Sequence, residues 1–266
     1  MGTAFLEVPG GRLAYEATGP ADGPLVVCAH GMGDTRASYR FLTPALVAAG
    51  HRVVTVDLRG HGKSSSGWPA YSARLIGEDL LALIRHLGGR ATLIAHSISC
   101  ASAVWAAAEA PDAITRLTLI GPFVEDAPMN PAMRLATAAV LRSPRLWTMY
   151  YRSLYPSAKP ADFADYLRAL RATLGEPGRM AAVRGLMGTG PECMARIPEV
   201  RCPVQIVMGT KDPDFADPTA AAREAERRFA RATAELVEGA GHYPHAELPA
   251  LTTPTVRAFV AEPVSA

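Results

Sequence analysis

The sequence predicts an α/β fold: a mostly parallel, eight-stranded sheet with helices on both faces and a helical segment inserted before the last strands. Three observations carry this expectation. Short apolar, β-branched runs alternate with stretches of helical spacing. Several runs stop abruptly in glycine-rich turns. From Phe123 to about Pro203 the chain keeps helical periodicity but offers no good strand.

Two short strand patterns open the chain, Thr3 to Val8 and Arg12 to Ala17, joined by Pro9-Gly10-Gly11 as a hairpin. Leu25 to Ala29 is continuously apolar, as a strand buried on both faces must be, and it runs into His30-Gly31-Met32-Gly33. Helical spacing from Ser38 to Ala49 stops at Gly50, and the next strand, Arg52 to Val56, leads into Asp57-Leu58-Arg59-Gly60-His61-Gly62-Lys63-Ser64. An amphipathic helix from Ser72 to Leu87 closes at Gly88-Gly89. Ala91 to Ala95 then feeds a turn of small residues and an Ala-rich helix, Ile98 to Glu109, that stops before Pro111. Leu117 to Ile120 is the next strand, ending at Gly121-Pro122.

Beyond it, helical periodicity covers Ala132 to Leu141, Pro144 to Tyr155, Pro160 to Leu174 and Gly178 to Met187. These helices read as an insertion, 123–202, within a core domain made of 1–122 and 203–266. Strand patterns resume at Val204 to Met208 and Thr233 to Val237, separated by a charged helix that Asp217 or Thr219 can cap. The last helix spans about Pro249 to Ala261.

Composition narrows the function classes. Hydrophobic residues make up 49% and charged residues 20%, enough for a large core and against disorder. The 27 basic and 25 acidic residues are mixed along the chain, so no basic stripe exists to track a phosphate backbone, and nucleic acid is not an expected partner. Cys28, Cys100, Cys193 and Cys202 lack C-x-x-C spacing and read as reduced, mostly buried thiols, with a Cys193–Cys202 pairing as the alternative. Met1 to Pro9 carries Glu7 and lacks a basic region followed by an apolar core, so no signal peptide, no membrane partner and a cytoplasmic setting are expected. No metal or cofactor is expected; the expected partner is a small-molecule substrate, with a homodimer left open.

The stretch that carries chemistry is Leu93-Ile94-Ala95-His96-Ser97-Ile98-Ser99-Cys100-Ala101. A serine at the apex of a strand–turn–helix presents its hydroxyl above the sheet. The bland alternative is a helix N-terminus capped by Ser97 or Ser99. A serine hydroxyl needs a base to take its proton, and the base needs a carboxylate to fix its tautomer. The chain supplies Ser, Asp and His in that order, each just past the C-terminal end of a strand, where ligands bind in parallel sheets. Trp147 and Tyr151, with neighbouring apolar residues from Leu146 to Leu154, either pack the insertion onto the body or shape a pocket, together with Tyr243.

Five motifs in this order resemble the α/β-hydrolase fold superfamily, over most of the chain. His30 to Gly33 is similar to its oxyanion loop, Asp57 to Ser64 to its D-x-R-G-x-G-x-S turn, and Ala95 to Ser99 to its nucleophile elbow, with Ala95 and Ser99 where glycines are usual. Gly209-Thr210-Lys211-Asp212 resembles the acid loop and Gly239 to Pro244 the histidine loop. The resemblance implies Ser97 as nucleophile, His242 as base and then acid, Asp212 as its partner, and the Met32 and Ile98 backbone N–H groups as oxyanion donors. Asp214 rivals Asp212, and Asp126 or Glu125 is a further rival. His245 either starts a helix or sits at the surface, His30 anchors its loop, and His96 packs. The charged residues of the Asp57 to Ser64 turn are expected to form a structural ion pair.

The activity implied is a serine hydrolase with a helical lid, cleaving a small or medium carboxylic ester, lactone or thioester through an acyl-enzyme. Alternatives are a C–C bond hydrolase, a perhydrolase or a cyclase on the same triad, or a non-catalytic small-ligand receptor. Dehalogenases and epoxide hydrolases of this superfamily attack with an aspartate at the position held here by Ser97.

Overall fold

The computed structural model describes residues 2–124 and 130–262. The hairpin forms as β1 (Ala4–Val8) and β2 (Gly11–Thr18), followed by β3 (Leu25–Ala29). The helix expected from Ser38 is two pieces, a 3₁₀ turn at Arg36–Tyr39 and α1 (Leu42–Ala48). Pro44 explains the break, because it has no N–H for the Arg40 carbonyl and its ring would clash with that carbonyl in a continuous helix. Next come β4 (Arg52–Val56), α2 (Ala73–Leu87), β5 (Ala91–His96), α3 (Ile98–Glu109) and β6 (Ile114–Ile120). The Ser72 hydroxyl caps α2 by accepting the Leu75 N–H at 3.2 Å.

Between β6 and the next strand lie α4 (Pro131–Val140), α5 (Pro144–Ser153), α6 (Phe163–Leu174), α7 (Arg179–Leu186) and α8 (Gly190–Met194). The chain then forms β7 (Val204–Gly209), α9 (Pro218–Arg228), β8 (Ala232–Val237), α10 (Pro244–Glu247) and α11 (Pro249–Ala261). Of the two candidate caps it is Asp217 that starts α9, its side chain accepting the Ala220 N–H at 2.9 Å.

The eight strands form one sheet in the order β1-β2-β4-β3-β5-β6-β7-β8. β2 runs antiparallel to both neighbours, and every pair from β4-β3 to β7-β8 is parallel. Strand alternation splits the core into two layers. Val27, Ala29, Leu93, Ala95, Leu117, Leu119, Ile206 and Met208 face α2, α3 and α9, while Val26, Cys28, Ile94, Ile120 and Val207 face α1 and α11. A third cluster lies outside the sheet: Trp147, Tyr151, Leu154, Tyr155, Phe163, Leu170 and Leu174 from the inserted helices pack on Tyr243 and Ala246. α8 does not join it; Cys193 and Met194 belong to the main core. All four cysteines are free, and burial raises the Cys28 and Cys100 thiols far above their usual range.

The ion pairs expected in the Asp57 to Ser64 turn are present. Arg59 binds Asp79 through two bonds of 2.7 Å, both groups buried. Asp57 takes the Arg36 guanidinium and the Arg36 and Lys63 backbone N–H groups.

Candidate active site

β5 passes into α3 through Ser97, whose φ of 55° is the only positive value at a non-glycine residue among the described residues. Such a conformation costs about 1–3 kcal/mol and persists only where the surroundings impose it. Here the Ser97 N–H is fixed to the Ile120 carbonyl at 2.9 Å on the neighbouring strand. Buried Ala95 and Ser99 flank the turn without glycine. Ser99 does not cap α3; its hydroxyl donates to the His30 carbonyl at 2.5 Å and so ties the turn to the loop after β3.

That loop is held by two histidine rings. Leu58 N–H donates to His30 Nε2 at 3.1 Å, which leaves the Nδ1 proton for the Gly31 carbonyl at 2.7 Å. Gly33 N–H donates to His61 Nε2 at 3.1 Å, and His61 Nδ1 turns its proton to the Arg59 carbonyl at 2.9 Å. Burial lowers the pKa of both rings, His61 to about 4, so both are neutral near pH 7. His30 therefore anchors the loop, and the Asp57 to Ser64 turn anchors it through His61. Gly31 allows the loop to press on the next strand, since a Cβ there would lie 2.7 Å from His96 Nδ1. The Met32 and Ile98 N–H groups have no acceptor among the described residues. Ile98 opens α3, where an N–H is unpaired and the helix dipole favours an anion.

His242 and Asp212 are each only 2% exposed and are joined by a 2.7 Å bond between Nδ1 and Oδ2. The second carboxylate of the acid loop is not on this edge of the ring: Asp214 Oδ2 lies 3.9 Å from Nε2. Burial alone would lower the His242 pKa, but the charge and hydrogen bond of Asp212, with the charge of Asp214, raise it to about 9. Burial pushes the Asp214 carboxyl up, against the pull of His242 and the Tyr150 hydroxyl. Asp126 and Glu125, the other acids considered, lie outside the described residues.

His96, next to Ser97 in sequence, turns back and bonds the His242 carbonyl through Nε2 at 2.9 Å, with the two rings 4.8 Å apart. Its Nδ1 has no hydrogen-bond partner among the described residues. The Ser97 hydroxyl makes no hydrogen bond to His242 among the described residues; such bonds often tighten only when substrate is bound. His245 is not at the surface. It lies in the short α10, fully buried and stacked on Tyr39 at 5.1 Å.

The three aromatic residues expected near a pocket are buried and engaged within the protein. Trp147 donates through Nε1 to the Gly33 carbonyl at 2.9 Å. Tyr151 donates to Asp34 at 3.0 Å, and Tyr243 stacks on Tyr155 at 5.1 Å and lies tilted against His96 at 4.3 Å. Sequence reasoning missed three polar anchors. Asp34 accepts from Tyr151, Tyr166 and the Thr35 N–H. Glu247 takes the N–H groups of Ser157, Ala158 and Gly241, binding the histidine loop to the inserted helices. Tyr150 donates to both oxygens of Asp214 at 2.7 Å.

Residues 26–253 match the family model described as the alpha/beta hydrolase family. The chain belongs to the alpha/beta hydrolase family. It is a hydrolase. Epoxide hydrolase A of Mycobacterium tuberculosis is 29% identical over 210 residues, 73% of this chain and 62% of that protein. Among solved structures, the enol-lactonase of Burkholderia xenovorans LB400 superposes with a TM-score of 0.81 at 22% identity, covering 97% of this chain and all of that one. A thermophilic esterase of Thermogutta terrifontis gives 0.78 at 24% identity, covering 97% and 98%. At these identities the structural likeness speaks for the alpha/beta hydrolase fold alone. Among the described residues of this hydrolase no helix is long and apolar enough to cross a membrane. Asp212, Asp214 and His242 bring ligating atoms within 4.8 Å of one another. A cation held by all three through His242 Nδ1 would have to displace the proton shared with Asp212.

Proposed function

We propose that this hydrolase cleaves a small or medium, partly apolar carboxylic ester, lactone or thioester through an acyl-enzyme. Ser97 is the nucleophile, His242 the base and then the acid, and Asp212 the carboxylate that orients the ring. The Met32 and Ile98 N–H groups receive the developing oxyanion. The observation that carries this reading is the strained serine turn at the end of β5, whose preceding residue His96 bonds the carbonyl of His242 at 2.9 Å, the imidazole of His242 being buried with its Nδ1 already bound to a carboxylate at 2.7 Å. Two N–H groups without an acceptor among the described residues, on the loop after β3 and at the start of α3, support it further.

In this mechanism Ser97 Oγ attacks the acyl carbon as His242 Nε2 takes its proton. The carbonyl oxygen becomes an anion facing the two N–H donors. Collapse breaks the bond to the leaving group, which takes the proton from Nε2. Water then attacks the acyl-enzyme by the same route, its proton passing to His242 and on to Ser97, and the acid is released. Residues 123–202 act as a lid in this reading, with the aromatic cluster under α5 and α6 as their hinge on the body. The four unpaired cysteines support a reducing, cytoplasmic setting.

The test is release of nitrophenol from short acyl esters together with labelling by a fluorophosphonate. Wild-type protein should do both, and Ser97→Ala should lose roughly 10³-fold or more in kcat and all labelling. Activity that survives in Ser97→Ala would remove the acyl-enzyme mechanism.

A further inference from the structure

Asp214 is partly buried and poorly satisfied for a carboxylate. The other buried acids each hold backbone N–H groups, a cation or an imidazole: Asp57 has Arg36, Asp79 has Arg59, Asp212 has His242 and the Asp214 N–H, and Glu247 has three N–H groups. Asp34 has two phenols and an N–H. Among the described residues Asp214 receives only the Tyr150 hydroxyl, shared between its two oxygens. An ionised carboxylate offers about four acceptor positions, so most of its capacity is unused. Its side chain keeps 17% of its surface open, and its nearest cationic atom is His242 Nε2 at 3.9 Å, beyond hydrogen-bond range.

The location gives that spare capacity a direction. Nε2 is the atom that must come within about 3 Å of the leaving oxygen to protonate it. A carboxylate oxygen 3.9 Å from Nε2 is then within reach of a group on the second carbon from that oxygen. Tyr150, on α5, holds the carboxylate in place, and the apolar wall beside it is Phe123 stacked on Phe215 at 4.6 Å, with Phe123 also 5.7 Å from the His242 ring.

We propose that Asp214, held by Tyr150, is a leaving-group subsite that accepts a hydrogen bond from a hydroxyl or ammonium on the carbon adjacent to the scissile oxygen's own carbon, so that monoesters of vicinal diols and amino alcohols are the preferred substrates. This rests on the serine-hydrolase reading above.

The experiment compares kcat/KM for two isosteric pairs of butyrate esters: 2-hydroxyethyl against propyl, and 2-(dimethylammonio)ethyl against 3-methylbutyl. Wild-type enzyme should favour the donor-bearing ester by about tenfold or more in at least one pair, the usual worth of a hydrogen bond to a charged acceptor. The readout is the ratio within a pair, whatever happens to absolute rates. Asp214→Ala should bring it near one, and Tyr150→Phe should lower it. If Asp214→Ala does not fold, Asp214→Asn, which can still accept from Tyr150, should lose the preference for the ammonium ester. Fluorophosphonate labelling of Ser97 in each variant reports whether the site is intact. A wild-type ratio near one in both pairs, or a preference that survives in Asp214→Ala, overturns the subsite while the serine mechanism stands. No hydrolysis of any of the four esters and no labelling overturn the serine mechanism, and the subsite with it.

Discussion

His242 sits between two carboxylates, with Asp212 Oδ2 bonded to Nδ1 at 2.7 Å and Asp214 Oδ2 at 3.9 Å from Nε2. Both charges favour the protonated ring and bring its pKa to about 9. If His242 is the base, as proposed above, it must be neutral to act, so kcat/KM for a neutral ester should rise with pH along an acidic limb near that value. Asp214→Asn removes one of the two charges and should move the limb to lower pH. The pH–rate profiles of the two proteins check this; a limb that stays where it is would mean that Asp214 does not act on the ring.

Gly33 joins a φ of +64° to close contact with the inserted helices, and a Cβ there would lie 2.4 Å from the Trp147 ring. Gly33→Ala should therefore cost roughly 2–4 kcal/mol, part from backbone strain and part from overpacking. Urea unfolding gives the stability, and a shift in tryptophan emission would report displacement of Trp147.

Arg59 and Asp79 form a buried, two-bond ion pair that lies in the D-x-R-G turn and has no chemistry to do. Removing one partner leaves the other charge buried and alone, so Arg59→Ala should cost about 3–5 kcal/mol. Where the variant still folds, its kcat should stay within a few-fold of wild type at low temperature, because the loss lies in the body and not at Ser97.

Asp34 tests the link between the inserted helices and the loop after β3. Burial raises its carboxyl to about 6 against the hydroxyls of Tyr166 and Tyr151 and the Thr35 N–H, which lower it. The fold thus favours the protonated acid: this contribution to stability is complete below the ordinary value of 3.8 and is lost as pH rises through about 6. Relative to Asp34→Asn, which does not ionise, wild type should lose on the order of 2–3 kcal/mol across that window. Urea midpoints of both proteins over the same pH range measure it; parallel curves would contradict it.

The strands were legible because five- to eight-residue apolar runs cannot be left in water, and the loops at their ends because turns that sharp need glycine. Asp212 and His242 lie on two of those loops, joined by a 2.7 Å bond. The split before α1 was not read, although Pro44 signals it. The side chains that join the two parts of the molecule were hidden for a different reason. Tyr150 and Asp214 are 64 residues apart and Tyr166 and Asp34 are 132 apart. Periodicity says which face of a helix a tyrosine occupies, not which distant acid its hydroxyl meets. Of the two readings of His245 the helix start holds, in α10, and the surface one does not, because the helix turns the ring inward onto Tyr39.

The contacts of Trp147 with Gly33 and of Tyr151 and Tyr166 with Asp34 bear on engineering. Grafting these helices onto a related scaffold, or exchanging them for another family member's, would strip the acid of its phenols and the loop after β3 of its indole tether. The recipient would inherit a buried acid with one N–H for company. Changing substrate range by trading whole segments thus demands that the loop after β3 travel with them.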